Sequence, residues 1–446
     1  AGSFTLETIA RVGYRLAPLP AADPAGRDPA PADSTAAPAP PVPAPPVVAA
    51  SPPRAEDAGR RPTATTRRTL LIGAGALLVG GAVAAGLAWR RAGRHVPTAE
   101  ALQLYERGAL LSREALPGQM RQAVTYLEQA VRLDPEFGAA WGALALAYSH
   151  LLGHAGEVEP ASLPDRITGA AARAAELDPG NADAVLALIA LTPTFRNWAD
   201  KEERLRSLLR EHPRHWLAHG RLAMLLYQVG RLDEGVAAHR RALAIEPMLP
   251  IAYAAIIRSL SALGRVQEAD ATVDRAGQLW PGHPVLWITT FNHLVYSGRP
   301  RAATGFASNA DTLPTGFGPR QVEPRLRLAR AVETRAPADV AASLADQLPL
   351  ARAQPESIPA VVAALAALGE TGLAFDALDR YLLDRGDFGQ PAPLTATTER
   401  GTEVLFVRPT ATLRSDPRFA TLLYGVGLDD YWRRVGVEPD FRRGAA

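Results

Sequence analysis

The sequence contains no cysteine, and Lys201 is the one lysine among its 48 basic residues. The absence of cysteine excludes disulfides, thiolate metal sites, cysteine nucleophiles and thiol redox sensing. Because Lys201 is followed by glutamate, a Walker A phosphate loop, which needs Lys-Ser or Lys-Thr, is excluded as well. The Gly-x-Ser-x-Gly and His-Glu-x-x-His motifs of common hydrolases are also missing. These absences argue against an enzyme, and no cofactor is expected.

The charge of the chain is nearly balanced, because 48 basic residues face 46 acidic ones and the formal net charge is +2. This balance gives no general attraction to nucleic acid or to an anionic membrane surface. Apolar residues make up 47% of the 446 residues, which is enough for a sizeable core. His212, His215 and His219 lie close together, but no acid at helical spacing completes a ligand set, so we expect no metal site.

The first part of the chain is rich in proline. Fourteen of the 39 prolines fall between Pro18 and Pro62, in a stretch without an aromatic residue. Such a segment buries too little apolar surface to offset the entropy of ordering, and proline favours extended polyproline II. Residues 18–68 are therefore predicted to be a disordered, semi-rigid linker.

Residues 69–89 form a run of 21 residues without a charge, placed between two arginine pairs. A helix of that length spans about 30 Å, the thickness of a bilayer core, so the run predicts a transmembrane helix. Arginines are more frequent before the run than after it. This bias predicts a single-pass protein of the bacterial inner membrane with a cytoplasmic amino terminus and a periplasmic carboxy-terminal domain. The small residues Gly81, Ala85 and Gly86 are candidates for helix association in a homodimer.

A second interpretation of this region stays open. Arg67 and Arg68 lie in a segment, residues 66–72, that resembles a twin-arginine export signal. Such signals also use weakly hydrophobic helices rich in glycine and alanine, and they are removed from the mature protein.

From about residue 96 onward, the sequence repeats with a period of 34 residues. Prolines that close a helical run, and glycines followed by arginine, both recur at this spacing. They are Pro179, Pro213, Pro247 and Pro281, and Gly230, Gly264 and Gly298. The pattern resembles tetratricopeptide repeats, so residues 96–314 are predicted to form an all-α solenoid of helical hairpins. Glycine is expected at the hairpin turns, because a residue without a Cβ adopts a left-handed backbone conformation at little cost in conformational energy.

Beyond Pro314 the repeat register fades while helical periodicity persists. Residues 315–446 are predicted to continue the helical array and to end in a cap, because a solenoid needs an atypical terminal repeat with a polar outer face. Aromatic residues of the last stretch, among them Phe419, Trp432 and Phe441, are expected to fold against the final repeat.

The resemblance to tetratricopeptide repeats implies a concave groove that binds a protein or peptide. Side chains of the first helix of each repeat would line this groove. The candidates are Phe137, Tyr148, Met224, Tyr227, Arg258, Trp287 and Phe291. Packing in the core is the alternative for the apolar candidates, whereas Arg258 has no such alternative.

Residues 4–18 alternate apolar and polar side chains around Arg11-Val12-Gly13, a pattern typical of a short β-hairpin. Residues 7–9 and 13–16 resemble the wing that ends OmpR/PhoB-type winged-helix domains, so residues 1–17 are interpreted as the remnant of such a domain. The resemblance implies that Arg11, Tyr14 and Arg15 belong to a DNA-contacting wing.

The order of wing, linker, membrane helix and repeats resembles membrane-integrated CadC/ToxR-type transcriptional regulators. That resemblance implies a one-component signal transducer whose repeat domain binds a protein, peptide or ligand outside the cytoplasm. It would bind DNA only through the part of the winged helix missing from this chain. The alternative is a periplasmic or membrane-anchored tetratricopeptide scaffold for protein–protein interaction without a role at DNA.

Overall fold

The computed structural model describes residues 4–9, 13–18, 95–114, 117–152, 162–386, 388 and 400–443. The chain divides into two compact units, residues 1–86 and residues 87–446. In the first unit, strand β1 (Phe4–Ile9) pairs antiparallel with strand β2 (Gly13–Pro18), with Phe4 opposite Pro18 and Ile9 opposite Gly13. The side chains of both strands lie outside the described part of the chain.

The second unit is built from α-helices joined by short turns. They are α1 (Ala99–Glu114), α2 (Pro117–Leu133), α3 (Gly138–Leu151), α4 (Leu163–Leu177), α5 (Ala182–Ala190), α6 (Trp198–Glu211), α7 (Trp216–Gln228), α8 (Leu232–Ile245), α9 (Pro250–Ala262), α10 (Val266–Leu279), α11 (Pro284–Tyr296), α12 (Pro300–Ser308), α13 (Pro319–Thr334), α14 (Pro337–Ala353), α15 (Ile358–Leu368), α16 (Thr371–Leu383), α17 (Pro417–Val426), α18 (Leu428–Val435) and α19 (Asp440–Arg443). The described residues also include four 3₁₀ helices: Ala310–Thr312, Pro355–Ser357, Thr402–Leu405 and Pro409–Ser415. The predicted all-α solenoid of helical hairpins is confirmed.

Glycine forms the turn of three successive hairpins, α7–α8, α9–α10 and α11–α12. Gly230, Gly264 and Gly298 have φ values of 73°, 75° and 83°, which is the left-handed conformation predicted from the sequence. The arginine after each glycine donates its backbone N–H to a carbonyl five residues earlier, at 2.9–3.0 Å. These bonds satisfy carbonyls that the end of the first helix leaves free.

The arginine side chain after each turn glycine joins its hairpin to the one before. Its guanidinium reaches a carboxylate of the preceding repeat, about thirty residues earlier in the sequence. The pairs are Arg231–Glu202 at 2.8 Å, Arg265–Asp233 at 2.9 Å and Arg299–Asp270 at 2.9 Å. Each of these three 34-residue repeats therefore contributes an ion pair to the preceding repeat as well as a glycine turn.

The carboxy-terminal region, residues 400–443, lies against α6–α8 as well as against α15 and α16. Trp432 donates its indole N–H to the Val229 carbonyl at 2.8 Å, and the Thr402 hydroxyl donates to the Gln228 carbonyl at 2.6 Å. Its aromatic side chains join the cluster that includes Phe375 of α16. The expectation that the cap packs on the final repeat therefore accounts for only part of its contacts.

The predicted inner-membrane location is wrong. Within the described ranges, no helix has both the length and the apolar character needed to cross a bilayer. The longest of them, α2 and α14, have 17 residues each and carry charged side chains. The run 69–89 itself, with Gly81, Ala85 and Gly86, lies outside the described residues, as do Arg11 and the predicted linker except for Pro18.

The turn glycines allow a matched test of backbone strain and packing. Gly264→Ala meets no atom within 4 Å, so only the positive φ opposes it, and we expect a loss of about 1 kcal/mol of unfolding free energy. Gly230→Ala places a Cβ 2.9 Å from the Phe406 ring and should cost more. Urea unfolding followed by circular dichroism measures both. Equal losses would mean that the carboxy-terminal region does not contact the α7–α8 turn.

Candidate functional site

The predicted groove residues separate into a buried set and a half-buried set. Five are buried in the core, with relative exposures of 0–8%: Phe137, Tyr148, Tyr227, Trp287 and Phe291. Phe137 packs on Tyr105 with ring centroids 5.1 Å apart, and Trp287 stacks on Phe291 at 6.1 Å. Met224 and Arg258 are half-buried. Packing, the alternative kept for the apolar candidates, accounts for the five buried rings.

Tyr148 illustrates how these buried side chains tie helices together. Its hydroxyl donates to Glu128 of α2 at 2.7 Å, and Arg166 of α4 lies over its ring at 4.3 Å. Burial and the Glu128 carboxylate raise the pKa of Tyr148. The phenol therefore stays neutral and serves as a link between α2, α3 and α4.

A buried ion network joins α6, the α7–α8 turn and α18. The Arg231 guanidinium contacts the Glu202 carboxylate and the Tyr431 hydroxyl, both at 2.8 Å, while Tyr431 donates to the other oxygen of Glu202 at 2.7 Å. All three residues are at most 5% exposed. Burial and Glu202 raise the pKa of Tyr431. Burial would lower the pKa of Arg231, but the hydrogen bonds that its guanidinium donates to Glu234 and the charge of Glu202 outweigh burial and raise the pKa.

This network fixes the carboxy-terminal region over one end of α7. Phe406 lies against Gly230, and Asp440 donates its backbone N–H to the Gly230 carbonyl at 2.9 Å. Around this contact, α7 is buried at Leu222, at Ala223 and throughout 225–228. A helix that is buried on nearly every side packs against protein on both faces. By the same measure α9 is buried at nine of its thirteen residues and α11 at six of thirteen, so α11 is the least buried of these three first helices.

Two polar atoms near Arg258 are buried without a hydrogen-bond partner. They are the Tyr227 hydroxyl and Nδ1 of His239, whose residues are 3% and 4% exposed. Burial and, to a smaller extent, the charge of Arg258 together lower the pKa of His239 to about 3. Burial raises the pKa of Tyr227 while the charge of Arg258 opposes that shift. Both groups are thus neutral and near the guanidinium.

A Ser–His–Asp series links α9, α10 and α11. The Ser261 hydroxyl lies 2.6 Å from both the Ile257 carbonyl and Nδ1 of His293, and Nε2 of His293 lies 2.8 Å from Asp270 and from Arg299. Ser261 and His293 are both buried, so the series ties neighbouring repeats together within the core.

The three histidines of the 212–219 segment also hold the fold. His215 accepts the Ala218 N–H at the start of α7 and contacts Asp183 at 2.9 Å, and His219 reaches the Pro213 carbonyl at 2.9 Å. Across the described part of the chain, no cluster of three potential metal ligands occurs. Tyr14 and Arg15 lie on β2, where only the backbone is described.

No protein-family model and no curated protein matches the chain. Among solved structures, a thermophilic TPR protein of Thermus thermophilus is 20% identical, with a TM-score of 0.33, over 44% of this chain and 98% of that one. Yeast Tom70 is 13% identical, with a TM-score of 0.37, over 74% and 68%. Pseudomonas aeruginosa pilF is 14% identical, with a TM-score of 0.32, over 46% and 90%. Nothing about a partner or location of this chain follows from these likenesses.

The buried network predicts a specific stability loss. Tyr431→Phe removes the hydroxyl that bridges Glu202 and Arg231, and we expect it to lower the unfolding free energy by about 1–3 kcal/mol. Tyr424→Phe is the matched control, because Tyr424 is 72% exposed and should change little. Chemical unfolding measures both variants. Similar stabilities for the two would refute the proposed role of the network.

The neutral His239 predicts a dependence of stability on pH. Its pKa is about 3 in the folded chain and 6.5 without perturbation, so the unfolded state binds a proton first as the pH falls below 6.5. Stability should therefore decrease below pH 6.5, by up to about 1.4 kcal/mol per pH unit from this residue. His239→Phe should flatten that decrease in unfolding experiments between pH 7 and about pH 5. An unchanged slope would show that His239 is protonated in the folded protein.

Proposed function

We propose that this chain is a tetratricopeptide-type scaffold that binds an extended segment of another protein across α7, α9 and α11. One observation carries the proposal. Met224, Arg258 and Asn292 occupy equivalent positions 34 residues apart, and all three are half-buried. Their helices follow one another in direct contact, which for packed helices means axes about 8–10 Å apart. A thioether, a guanidinium and a carboxamide therefore form a row of regularly spaced, unlike groups.

Such a row suits recognition of a peptide rather than catalysis. An extended chain presents side chains at regular intervals, and alternating pockets of different chemistry give it register and specificity. Three of the buried aromatic residues, Tyr227 of α7 and Trp287 and Phe291 of α11, lie on helices that carry the row and fix those helices in the core. The proposed binding surface is thus rigid before the partner arrives, which lowers the entropy cost of association.

The finer sequence interpretation, a CadC/ToxR-type regulator, gains no comparable support. Residues 1–17 stay a proposed wing remnant, and association through Gly81, Ala85 and Gly86 stays a proposal too. The division of the chain into a linker at 18–68, repeats at 96–314 and a carboxy-terminal region at 315–446 also remains a proposal. A role in protein–protein interaction needs none of these, since the row lies wholly on α7, α9 and α11.

A peptide-display selection on the full chain tests the function. Selected peptides should bind the parent, and binding should weaken at least tenfold when Met224→Ala or Asn292→Ala removes a side chain of the row, since a lost contact worth about 1.4 kcal/mol is a factor of ten in affinity. Arg275→Glu is the control, because Arg275 is exposed on α10. Failure to select any peptide, or equal weakening by the control, would contradict the proposal.

A further inference from the structure

Exposed apolar side chains concentrate on the first described helical hairpin, α1–α2. Eight large apolar side chains are exposed in the described part of the chain, and four of them lie between residues 96 and 133. They are Val96, Leu102, Leu110 and Leu133, which are 84%, 38%, 57% and 48% exposed. The terminal repeat of a solenoid usually has a polar outer face, because no further repeat covers it. This hairpin is therefore unusually apolar for the end of a helical array.

A groove of about 410 Å³ lies between α1 and α2 on the exposed side of this hairpin. Leu104 of α1 and Leu133 of α2 contribute its apolar lining, and Glu100, Gln103 and Arg107 contribute polar groups from α1. None of these five residues is buried. Leucine side chains that face water on both walls of a groove gain free energy when another apolar surface covers them.

The groove residues of α1 form one stripe along the helix. Glu100, Gln103, Leu104 and Arg107 are spaced i, i+3, i+4 and i+7, which places them on one face over two turns. Leu110 continues the stripe three residues later. The same spacing forms the contact face of helices in coiled coils. In addition to the face that packs within the hairpin, α1 thus presents a second face that suits another helix.

The two charged residues of this stripe have opposite signs and available side chains. Glu100 and Arg107 are exposed, and neither side chain forms an ion pair or hydrogen bond with a residue that the structure describes. Seven residues separate them, so they lie about 10 Å apart along the helix axis. A third charge in the groove, Arg132, lies 3.9 Å from Glu128 of its own helix. The stripe is therefore negative at its amino end and positive two turns later.

We propose that this face pairs with the same face of a second copy of the chain, with the two α1 helices antiparallel. A twofold axis that passes between Gln103 and Leu104 places Glu100 opposite Arg107 of the partner subunit, and places Arg107 opposite the partner's Glu100. A twofold interface uses the same patch on both subunits, so it requires a patch that is complementary to itself. A partner of one charge sign would match only one of the two residues.

This second interface lies apart from the proposed peptide row on α7, α9 and α11, and the inference does not rest on that function. Helices of 16 and 17 residues are each about 25 Å long, so one hairpin face corresponds to the low end of specific interfaces, about 1,200 Å² in total. We therefore expect a dimer whose population rises with protein concentration. Added salt should weaken the dimer, because its ion pairs lie near solvent.

Sedimentation velocity of the full chain over about a hundredfold range of concentration tests the dimer. The parent should pass from monomer to dimer and no further. Glu100→Arg and Arg107→Glu should each weaken association at least tenfold, because each variant places like charges opposite one another. Arg275→Glu, at an exposed arginine of α10, is the control and should leave association unchanged.

A mixture of the two weakened variants distinguishes the antiparallel arrangement from others. In the mixed pair, both contacts between positions 100 and 107 again join opposite charges, so the mixture should form a dimer as strong as that of the parent. Circular dichroism should show unchanged folding of both variants, because the altered side chains are exposed and have no described partner.

Three outcomes would overturn the proposal. The first is a chain that stays monomeric at the highest concentration, and the second is a dimer that neither charge reversal weakens, because the groove then has a different occupant or none. The third is assembly that keeps growing with concentration, because an open-ended contact joins two different faces instead of one face to itself.

The absence of cysteine supplies a second test, because a single introduced cysteine can form a disulfide only with another copy. Gln103→Cys lies beside the proposed twofold axis and should give a disulfide-linked dimer on mild oxidation of the full chain. Gln278→Cys, at an exposed glutamine of α10, is the matched control and should stay monomeric. Equal cross-linking of the two variants would contradict the position of the axis and overturn the proposal.

Discussion

The buried contact among Glu202, Arg231 and Tyr431 is the interaction on which the rest of this structure depends. An open solenoid contacts only its neighbours, yet here a residue of α18 completes an ion pair made some 200 residues earlier. Removing one partner of a buried ion pair lowers the unfolding free energy by about 3–5 kcal/mol, because the other charge is left unpaired in the low-dielectric protein interior. The carboxy-terminal region is thus bound to the middle of the helical array, at α6, α7 and α8.

The sequence predicted the elements that are local. A 34-residue period, the turn glycines and the stop prolines each follow from the conformation of a few neighbouring residues, and the left-handed Gly264 and its hairpin are confirmed. The arginine after each glycine was visible in the same pattern, but its acid partner was not, because the partner lies on the preceding hairpin at a spacing of 29 or 32 residues. A search for acids near that spacing could have found it.

Long-range packing could not be predicted from periodicity. Tyr227 was assigned to the groove by its position in the repeat, and nothing in its own neighbourhood shows that residues 400–443 pack nearby. The inner-membrane location, inferred from one charge-free run and its flanking arginines, is wrong, because no helix of the described residues is long and apolar enough to cross a bilayer. Arg258 was singled out because an arginine has little reason to be buried, and the structure leaves it half-buried.

Hydrogen–deuterium exchange of the full chain, with and without a bound selected peptide, tests most directly whether the partner occupies the open row without displacing the carboxy-terminal region. The account predicts slower exchange in α9 and α11 on binding, with the amides of α17 and α18 unchanged. Faster exchange in α18 on binding would contradict it, since the partner would then compete for the contact among Glu202, Arg231 and Tyr431.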